Sequence, residues 1–330
     1  MMNWALFGAS TIAAEYMIPA LRAARQGIGR VVSGDAARAA DYARRHGIPA
    51  AGDDPALALA DPDIGAVYVS STNPSHFAQT MAAIAAGKHV LCEKPLAMSV
   101  TDARAMVAAA EAAGVTLATN HHLRCSGSHR AIRDLIRAGA VGRVLSLRLF
   151  HAVHLPPHLQ GWRIGGADQG GGVIPDITVH DADVAMFLLD EVPDSVVAMA
   201  GTSGLGQDVE DSAMSVWSMP SGAMVQSHES FTHPFAGSGL QVHGTAGSIL
   251  AEGVMTQRPV GRVTLVTGAG ARDVPFPAHD LYTRGVTEFV AACEGQGQPA
   301  ATGLDGVRSL AVAMAVRQSA ATGQRVQVAA

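Results

Sequence analysis

The sequence predicts an α/β protein with an N-terminal doubly wound parallel sheet and a C-terminal α/β domain with an open, mainly antiparallel sheet. Its 330 residues are enough for two domains. Strand and helix patterns alternate over the first 120 residues, as in a parallel sheet with crossover helices. Residues 145–150 instead alternate apolar and polar side chains, which is typical of a half-exposed antiparallel strand. We expect domains at 1–121 and 122–330, with the last helices packing back on the first.

In the N-terminal half, short apolar runs bounded by turn residues predict the strands, and amphipathic stretches predict the helices. The expected strands are 4–7, 31–33, 66–70, 89–92 and 115–118. The expected helices are 12–24, 38–46, 75–86 and 101–113, with Thr11 as a candidate N-cap of the first. Glycines at 47, 87 and 114 follow the last three helices, as C′ glycines do.

In the C-terminal half, a glycine-rich loop at 165–172 leads into a helix expected over 177–189. Strand-like runs follow around Val196, Val216, Val225, Val242 and Val263. Two closing helices are expected over 282–292 and 307–321. The open sheet of this domain is available either as a subunit interface or as a solvent-facing surface, so the sequence leaves the oligomeric state open.

Composition excludes several functional classes. The 23 basic and 28 acidic residues give a net charge of −5, which offers no electrostatic reason to expect nucleic acid as a partner. The sequence has no apolar run of the roughly 18–20 residues that span a membrane, and no basic residue precedes Arg22, as a signal peptide would require. Cys92, Cys125 and Cys293 are odd in number and widely spaced, which favours a reducing, cytoplasmic setting.

The segment that follows the first predicted strand has the spacing of a dinucleotide-binding loop. Gly8 and Ala13 occupy the outer positions of the G-x-G-x-x-G/A pattern, and Ser10 replaces the middle glycine. A tight turn into a helix N-terminus presents backbone N–H groups to a pyrophosphate. The alternative is an ordinary strand-to-helix turn, which the surrounding βαβ pattern disfavours. The predicted cofactor residues of this loop are Gly8, Ala9, Ser10, Thr11, Ile12 and Ala13.

The residues after the second predicted strand bear on the choice between NAD and NADP. An acidic residue there accepts from a ribose 2′-OH, whereas a 2′-phosphate needs an uncharged or basic site. Ser33, which is followed by Gly34, and Arg38 can together bind a 2′-phosphate, so we favour NADP. Asp35 either caps the helix that begins near residue 36 or accepts from a ribose hydroxyl, and in the second case NAD is the cofactor.

Two further motifs carry candidate catalytic groups. Lys94, in Glu93-Lys94-Pro95, follows a strand at the carboxyl edge of the sheet, where it can polarise a substrate oxygen. The chain contains just one other lysine, Lys88. Asp176 and His180 are four residues apart, so a helix places them on one face, and a histidine beside a carboxylate is a tunable proton donor. A solvated lysine and a structural Asp–His pair are the alternatives. The glycines at 170–172 are expected to let a ligand approach the backbone.

Together, segments 8–13, 93–95 and 170–180 resemble the glucose–fructose oxidoreductase, inositol dehydrogenase and rhizopine-catabolism (Gfo/Idh/MocA) family, and the resemblance covers essentially the whole chain. It implies a Rossmann domain followed by an α/β domain with a largely antiparallel open sheet. It also implies cofactor contacts from Ala9, Ser10, Thr11, Ile12, Ser33, Gly34, Arg38, Ser71, Thr72, Asn73, Pro74, Ser75, His76, Glu93, Lys94, Asn120, Trp162, Arg163 and Tyr282. In the same comparison, His180 matches the family's acid, with Lys94 and Asp176 beside it.

Several histidines raise the question of a metal site. His151 and His154 are three residues apart in a strand pattern, so we expect them on opposite faces, and His158 follows two prolines. Zinc needs three or four converging ligands, so we predict no metal. Imidazoles also hydrogen-bond sugar hydroxyls. We predict substrate contacts from His151, Trp162, Arg163, Asp176 and His180.

These observations and the resemblance favour an enzyme that reduces a small sugar-like ketone with NADPH, with His180 donating the proton. One alternative is an NAD-dependent inositol or hexose dehydrogenase working in the opposite direction. A second is a non-catalytic nucleotide-sensing protein, and a third is a glycosidase with tightly held NAD. The joint presence of Lys94, Asp176 and His180 argues against the sensor.

Overall fold

The computed structural model describes residues 1–329, and the contacts within it divide the chain into two compact units. Unit 1 comprises residues 1–122 and 280–307, and unit 2 comprises residues 123–279 and those from 308 onwards. The segment 280–307 therefore belongs with the N-terminal residues. No helix within residues 1–329 has both the length and the apolar character that crossing a membrane requires.

Within the described chain, unit 1 is built on a parallel sheet of six strands. They are β1 (Asn3–Phe7), β2 (Gly27–Val32), β3 (Ala50–Gly52), β4 (Ala66–Val69), β5 (His89–Cys92) and β6 (Leu117–Thr119). Their order across the sheet is β3-β2-β1-β4-β5-β6. The strand order therefore reverses between β1 and β4, which is the topological switch point where doubly wound folds bind ligands. The predicted doubly wound parallel sheet is confirmed.

The helices of unit 1 have ends that their sequences explain. Those before residue 122 include a π-helical turn (Ala13–Met17) continued by α1 (Ile18–Ala23), then α2 (Ala36–His46), α3 (Pro55–Leu59), α4 (His76–Ala85) and α5 (Val100–Ala113). Asp35 and Ser99 cap α2 and α5 by accepting from backbone N–H groups three residues on. Gly47 and Gly114 end the same helices in the left-handed conformation, as their positions predict.

The sequence prediction missed two short elements of unit 1, β3 and α3. β3 has three residues and α3 has five, so neither is long enough to show a period. Asp54 and Pro55 do carry a local signal, because Asp54 caps α3 and proline occupies its first turn. Strand β3 has no such signal and forms by pairing with β2.

Within residues 123–329, a second sheet of nine strands forms the centre of unit 2. Its strands are β7 (Val144–Ala152), β8 (Ser195–Gly201), β9 (Ser212–Ser218), β10 (Met224–Ser230), β11 (Ser238–Gly244), β12 (Gly247–Glu252), β13 (Arg262–Thr267), β14 (Gly270–Asp273) and β15 (Val326–Gln327). The order is β14-β13-β12-β11-β7-β10-β9-β8-β15. Strands β7 and β10 pair in parallel and the other neighbours are antiparallel, so the predicted, mainly antiparallel character is confirmed.

The remaining helices are α6 (Gly127–Arg137), α7 (Pro157–Gly165), α8 (Val179–Leu189), α9 (Leu281–Cys293) and α10 (Gly303–Thr322). A π-helical turn, Ile174–Thr178, leads directly into α8. Helix α8 is buried from Val179 to Leu188 against one face of the second sheet, with Trp217 and Phe231 in the same core. The polar residues at its start, among them His180, Asp181 and Asp183, are therefore held among buried groups, where polar atoms need partners.

One face of the second sheet is exposed and partly apolar. Met199, Met214 and Met224 lie on β8, β9 and β10, and more than half of each side chain is exposed. Met199 and Met214 are directly paired across β8 and β9. The alternation of buried and exposed positions along these strands matches the period-two pattern of the sequence.

A carboxylate fixes the loop between β8 and β9. Both oxygens of Asp211 accept hydrogen bonds, from the backbone N–H groups of Ser203, Gly204, Leu205 and Gly206 and from the Ser203 hydroxyl, at 2.7–3.0 Å. Burial alone would raise the pKa of Asp211, but the backbone donors outweigh it and lower the pKa from 3.8 to about 2.

Asp211→Asn is expected to lower the free energy of unfolding by about 1–3 kcal/mol near neutral pH, because the N–H and O–H groups that donate to Asp211 would lose their charged acceptor. A carboxyl whose folded pKa is depressed stabilises the fold above its unfolded pKa. The wild-type advantage should therefore shrink as pH falls from about 4 through about 2. Urea unfolding at several pH values measures this. The exposed neighbour Asp208→Asn is the control, and an equal effect of Asp208→Asn would contradict the prediction.

Candidate active site

The loop that follows β1 has the backbone of a dinucleotide-binding turn. Gly8 adopts φ +114°, and its N–H donates to the carbonyl of Val32 at the end of β2. A Cβ at Gly8 would lie 2.7 Å from backbone atoms of Ser70 and Ser71, after β4. The turn thus brings the ends of β1 and β4 together at the switch point of the sheet, where glycine alone fits.

Ser10, rather than Thr11, caps the helix after this turn. The Ser10 hydroxyl accepts from the N–H of Ala13 at 3.2 Å and lies 2.8 Å from the hydroxyl of Ser70. Thr11 is exposed and already helical, so the predicted N-cap at Thr11 is wrong. The serine at the middle position of the motif therefore serves the helix end, and Ile12 follows in the first turn.

The end of β2 carries the residues expected to choose between cofactors. Arg38 donates from its guanidinium to the carbonyl of Ala9 at 2.9 Å, so a positive charge lies beside the glycine turn. Asp35 accepts from the Arg38 N–H at 2.8 Å and caps α2, which is the first of the two roles considered for it. Ser33 is half-buried and Gly34 is exposed just after β2.

The segment 71–76 follows β4 at the same edge of the sheet. His76 is buried, and its Nδ1 and Nε2 lie 2.8 Å and 3.1 Å from the carbonyl oxygens of Pro95 and Ser71. His76 therefore ties this segment to the one after β5, and its burial lowers its pKa. Asn73 is also buried, whereas Thr72 and Pro74 are exposed and Ser75 is half-buried.

A buried carboxyl lies directly before Lys94. Glu93 accepts at one oxygen from the hydroxyl of Tyr68 and the side-chain amide of Asn120, both at 2.5 Å. Burial raises the pKa of Glu93, although these donors oppose the shift. Lys94 itself is half-buried. Three adjacent parallel strands, β4, β5 and β6, thus contribute to one polar cluster at their carboxyl ends.

Tyr282, at the start of α9, belongs to a stack of rings in unit 1. Its ring lies 5.0 Å from that of Tyr16 and 5.2 Å from that of His122, at interplanar angles of 22° and 13°. Tyr282 is 2 % exposed. The stack joins α9 to the helix that follows the glycine turn.

In unit 2, Asp176 is paired with an arginine. Arg163 donates from Nε to Asp176 at 3.1 Å, and its guanidinium lies 4.6 Å from the centre of the Trp162 ring. Trp162 and Arg163 lie on α7 after a break at Gly161. Asp176 and His180 are each 5 % exposed, on the π-helical turn and on α8 respectively. The predicted residues Trp162, Arg163, Asp176 and His180 thus occupy three elements of one unit: α7, the π-helical turn and α8.

Two glycines of the 170–172 segment lie close to other parts of unit 2. A Cβ at Gly171 would lie 2.7 Å from the carbonyl oxygen of Trp162, and Gly172 donates from its N–H to the carbonyl of Arg163. Gly171 and Gly172 therefore pack the loop against the end of α7, whereas we expected them to let a ligand approach the backbone.

The three histidines considered for a metal site, His151, His154 and His158, differ in their burial. His151 lies on β7, 12 % of its side chain is exposed, and its ring centre is 6.3 Å from that of His180. His154 and His158 are exposed, and β7 ends before His154, so placing His154 in the strand was wrong. Within residues 1–329, no group of three or more His, Cys, Asp or Glu side chains is arranged to hold a metal.

Three buried polar residues near His151 were missed by the sequence analysis. Asp181 contacts His151 at 3.0 Å, and Ser227 bridges Asp181 and Glu229. Their separation along the sequence hides this contact. The one local signal is a serine and a glutamate two residues apart on the buried face of β10.

Comparison with known proteins agrees with this architecture. Residues 2–121 match the family described as oxidoreductase family, NAD-binding Rossmann fold. Residues 129–250 match the GFO/IDH/MocA C-terminal domain. The chain is therefore an oxidoreductase with an NAD(P)-binding Rossmann domain. It belongs to the Gfo/Idh/MocA family, as the sequence resemblance indicates.

Individual relatives are similar along the whole chain. The 1,5-anhydro-D-fructose reductase of Ensifer adhaerens is 51 % identical over 329 residues, which cover 99 % of each chain. The D-xylose 1-dehydrogenase (NADP⁺) 2 of Haloferax volcanii is 30 % identical over 99 % of this chain and 100 % of that one. Among solved structures, the aldose-aldose oxidoreductase of Caulobacter crescentus, complexed with glycerol, superposes with a TM-score of 0.91 at 25 % identity over 99 % of both chains.

A levoglucosan dehydrogenase in complex with NADH and levoglucosan shares the fold, with a TM-score of 0.89 at 23 % identity over the full length of both chains.

Proposed function

We propose that this protein reduces a sugar-like ketone with NADPH, and that the ketone is 1,5-anhydro-D-fructose, giving 1,5-anhydro-D-mannitol. The observation that carries the proposal is the 51 % identity, over 99 % of both chains, to a 1,5-anhydro-D-fructose reductase. The wider family acts on varied substrates, as the D-xylose dehydrogenase relative illustrates. The proposed substrate therefore rests on this similarity together with the polar residues of unit 2.

The residues of unit 1 fit a dinucleotide. The turn at Gly8 leaves no space for a side chain, the helix after it begins with a capped end, and Arg38 lies against the same turn. Backbone N–H groups at a helix start bind pyrophosphate, and an arginine suits a 2′-phosphate. We assign cofactor binding to this turn, to Ser33, Gly34 and Arg38, and to segments 71–76, 93–94 and 120. We assign it also to Trp162, Arg163 and Tyr282, although Tyr282 is buried in the ring stack.

Hydride transfer is the chemistry that a bound nicotinamide supplies. In the proposed reaction, His180 donates a proton to the oxygen of the ketone as negative charge develops there. Lys94 polarises the same oxygen by hydrogen bonding. Asp176 orients His180 in this proposal, and its ion pair with Arg163 ties the π-helical turn before His180 to α7.

Purified protein supplied with 1,5-anhydro-D-fructose should oxidise NADPH, and the product should be 1,5-anhydro-D-mannitol by chromatography against authentic alcohols. Inositol and hexoses with NAD⁺ form the second arm, which tests the alternative of a dehydrogenase. Tightly held NAD that survives purification would favour the glycosidase alternative. Failure to oxidise NADPH with any ketosugar or 1,2-dicarbonyl would refute the proposed function.

Ser33→Asp is expected to shift the ratio of kcat/KM values for NADPH and NADH at least tenfold toward NADH. A carboxylate there repels a 2′-phosphate and accepts from a 2′-OH instead. Asp35→Asn is the matched control. The Asp35 side chain caps α2 by accepting from the N–H of Arg38, and asparagine caps helices equally well. A loss of NADH use in Asp35→Asn with no change in Ser33→Asp would contradict NADP preference.

A further inference from the structure

Four polar side chains from three elements form a chain that runs inward from His151. Nδ1 of His151 on β7 lies 3.0 Å from Oδ1 of Asp181 on α8. Oδ2 of Asp181 lies 2.9 Å from the hydroxyl of Ser227, which lies 2.7 Å from Oε1 of Glu229, both on β10. Asp181, Ser227 and Glu229 are fully buried.

Counting hydrogens assigns a direction to this chain. The hydroxyl of Ser227 carries one hydrogen, so it can donate to one of the two carboxyls, and the other carboxyl must donate to it. Two ionised carboxylates sharing one buried hydroxyl would each lack solvation. One proton must therefore reside on Asp181 or Glu229.

That proton belongs on Glu229. Oδ1 of Asp181 faces the Nδ1 of His151, so an imidazole N–H there can donate to Asp181. Burial, and then the neighbouring Asp181 carboxylate, raise the pKa of Glu229 to about 8. Glu229 thus donates to Ser227, Ser227 donates to Asp181, and His151 donates to Asp181 from Nδ1.

Three further imidazoles lie near His151 or Asp181. His129 on α6 is fully buried, and burial followed by the proximity of His151 lowers its pKa to about 3, so it is neutral. His228 on β10 has a pKa lowered by burial and then by His233, although Asp181 opposes the shift. His180 on α8 lies on the other side, with its ring 6.3 Å from that of His151. The carboxylate that contacts Nδ1 of His151 is that of Asp181.

We propose that Asp181, Ser227 and Glu229 are positioning residues that hold His151 in the Nδ1–H tautomer, so that its Nε2 accepts a hydrogen bond from a substrate hydroxyl. The identity of that substrate as a hydroxylated ketone rests on the proposed function. A buried acceptor that expects a hydroxyl discriminates strongly against an analogue that lacks one. His151 would then select for a hydroxyl near the carbonyl that His180 protonates.

The tautomer of His151 is directly measurable in the full chain labelled with [¹⁵N]histidine, with its signals assigned by their loss in His151→Gln. We expect a protonated Nδ1 and an unprotonated Nε2 at pH 7.5. Asp181→Ala, which removes the acceptor for Nδ1–H, should abolish that preference, whereas Glu229→Gln should retain it, because a carboxamide N–H replaces the acid O–H as donor to Ser227. Wild-type His151 with protonated Nε2, whether neutral or doubly protonated, would overturn the proposal even if Asp181→Ala failed to fold.

Kinetics supply the second readout. Asp181→Ala should raise KM for a ketone bearing an adjacent hydroxyl about 10- to 100-fold, the effect of one hydrogen bond to a polar site. KM for the deoxy analogue should change much less. Equal increases for both ketones would indicate a merely structural role and overturn the proposal. If the wild type reduces no ketosugar, the proposed function fails, while the tautomer still decides the arrangement around His151.

Discussion

His180→Asn is expected to lower kcat for reduction of the ketone about 10²- to 10⁴-fold, which is the usual contribution of a positioned general acid. His180 lies in the first turn of α8 and is 5 % exposed, so its ring is held by packing. Asparagine retains a polar group of smaller size but cannot donate a proton to a developing alkoxide. The Kd for NADPH should remain within about twofold, because the residues assigned to pyrophosphate and ribose lie in unit 1.

The comparison requires steady-state kinetics with the ketone and a fluorescence titration with NADPH for each variant. His158→Asn is the matched control, since it makes the same exchange at an exposed histidine of unit 2. We expect His158→Asn to keep wild-type kcat within about twofold. If His180→Asn keeps wild-type kcat while His151→Asn loses it, the proton comes from His151 and the assignment of His180 is wrong.

Local rules recovered much of unit 1. The alternation of strands and helices predicted the doubly wound parallel sheet, and Gly47 and Gly114 marked two helix ends that depend on the left-handed conformation. The exception at Thr11 is instructive. From the sequence, the hydroxyl of either Ser10 or Thr11 could cap the helix. In the structure the Ser10 hydroxyl accepts from the N–H of Ala13 and lies beside the hydroxyl of Ser70, which follows β4.

The candidate site of unit 2 was harder to predict because its contacts join distant segments. The i, i+4 spacing of Asp176 and His180 predicts a shared helix face, but it does not predict the ion pair that Asp176 makes with Arg163 on α7. Asp181 meets Ser227, which lies 46 positions away along the chain. No periodicity encodes that contact, since it requires the start of α8 to pack against β10. Sequence alternation predicts a strand but not its neighbour.

Gly8→Ala is expected to weaken NADPH binding at least 100-fold and to lower the free energy of unfolding by about 2–4 kcal/mol. The added Cβ would lie 2.7–2.8 Å from the backbone of Ser70 and Ser71, and backbone atoms cannot turn aside as a side-chain end can. The conformation of Gly8, with φ +114°, is also one that alanine rarely adopts. To relieve the steric clash and the backbone strain, the turn after β1 must move. That movement would displace the helix start that we assign to pyrophosphate binding.

Gly52→Ala, at the end of β3 in the same sheet, is the control for the added methyl group. Its Cβ would lie 3.8 Å from the guanidinium of Arg30, an ordinary contact, and it should change the free energy of unfolding by no more than about 1 kcal/mol. Urea unfolding and cofactor titration of both variants test the prediction. Wild-type NADPH affinity in Gly8→Ala would show that the turn after β1 does not bind the pyrophosphate, and the assignment of residues 8–13 would fail with it.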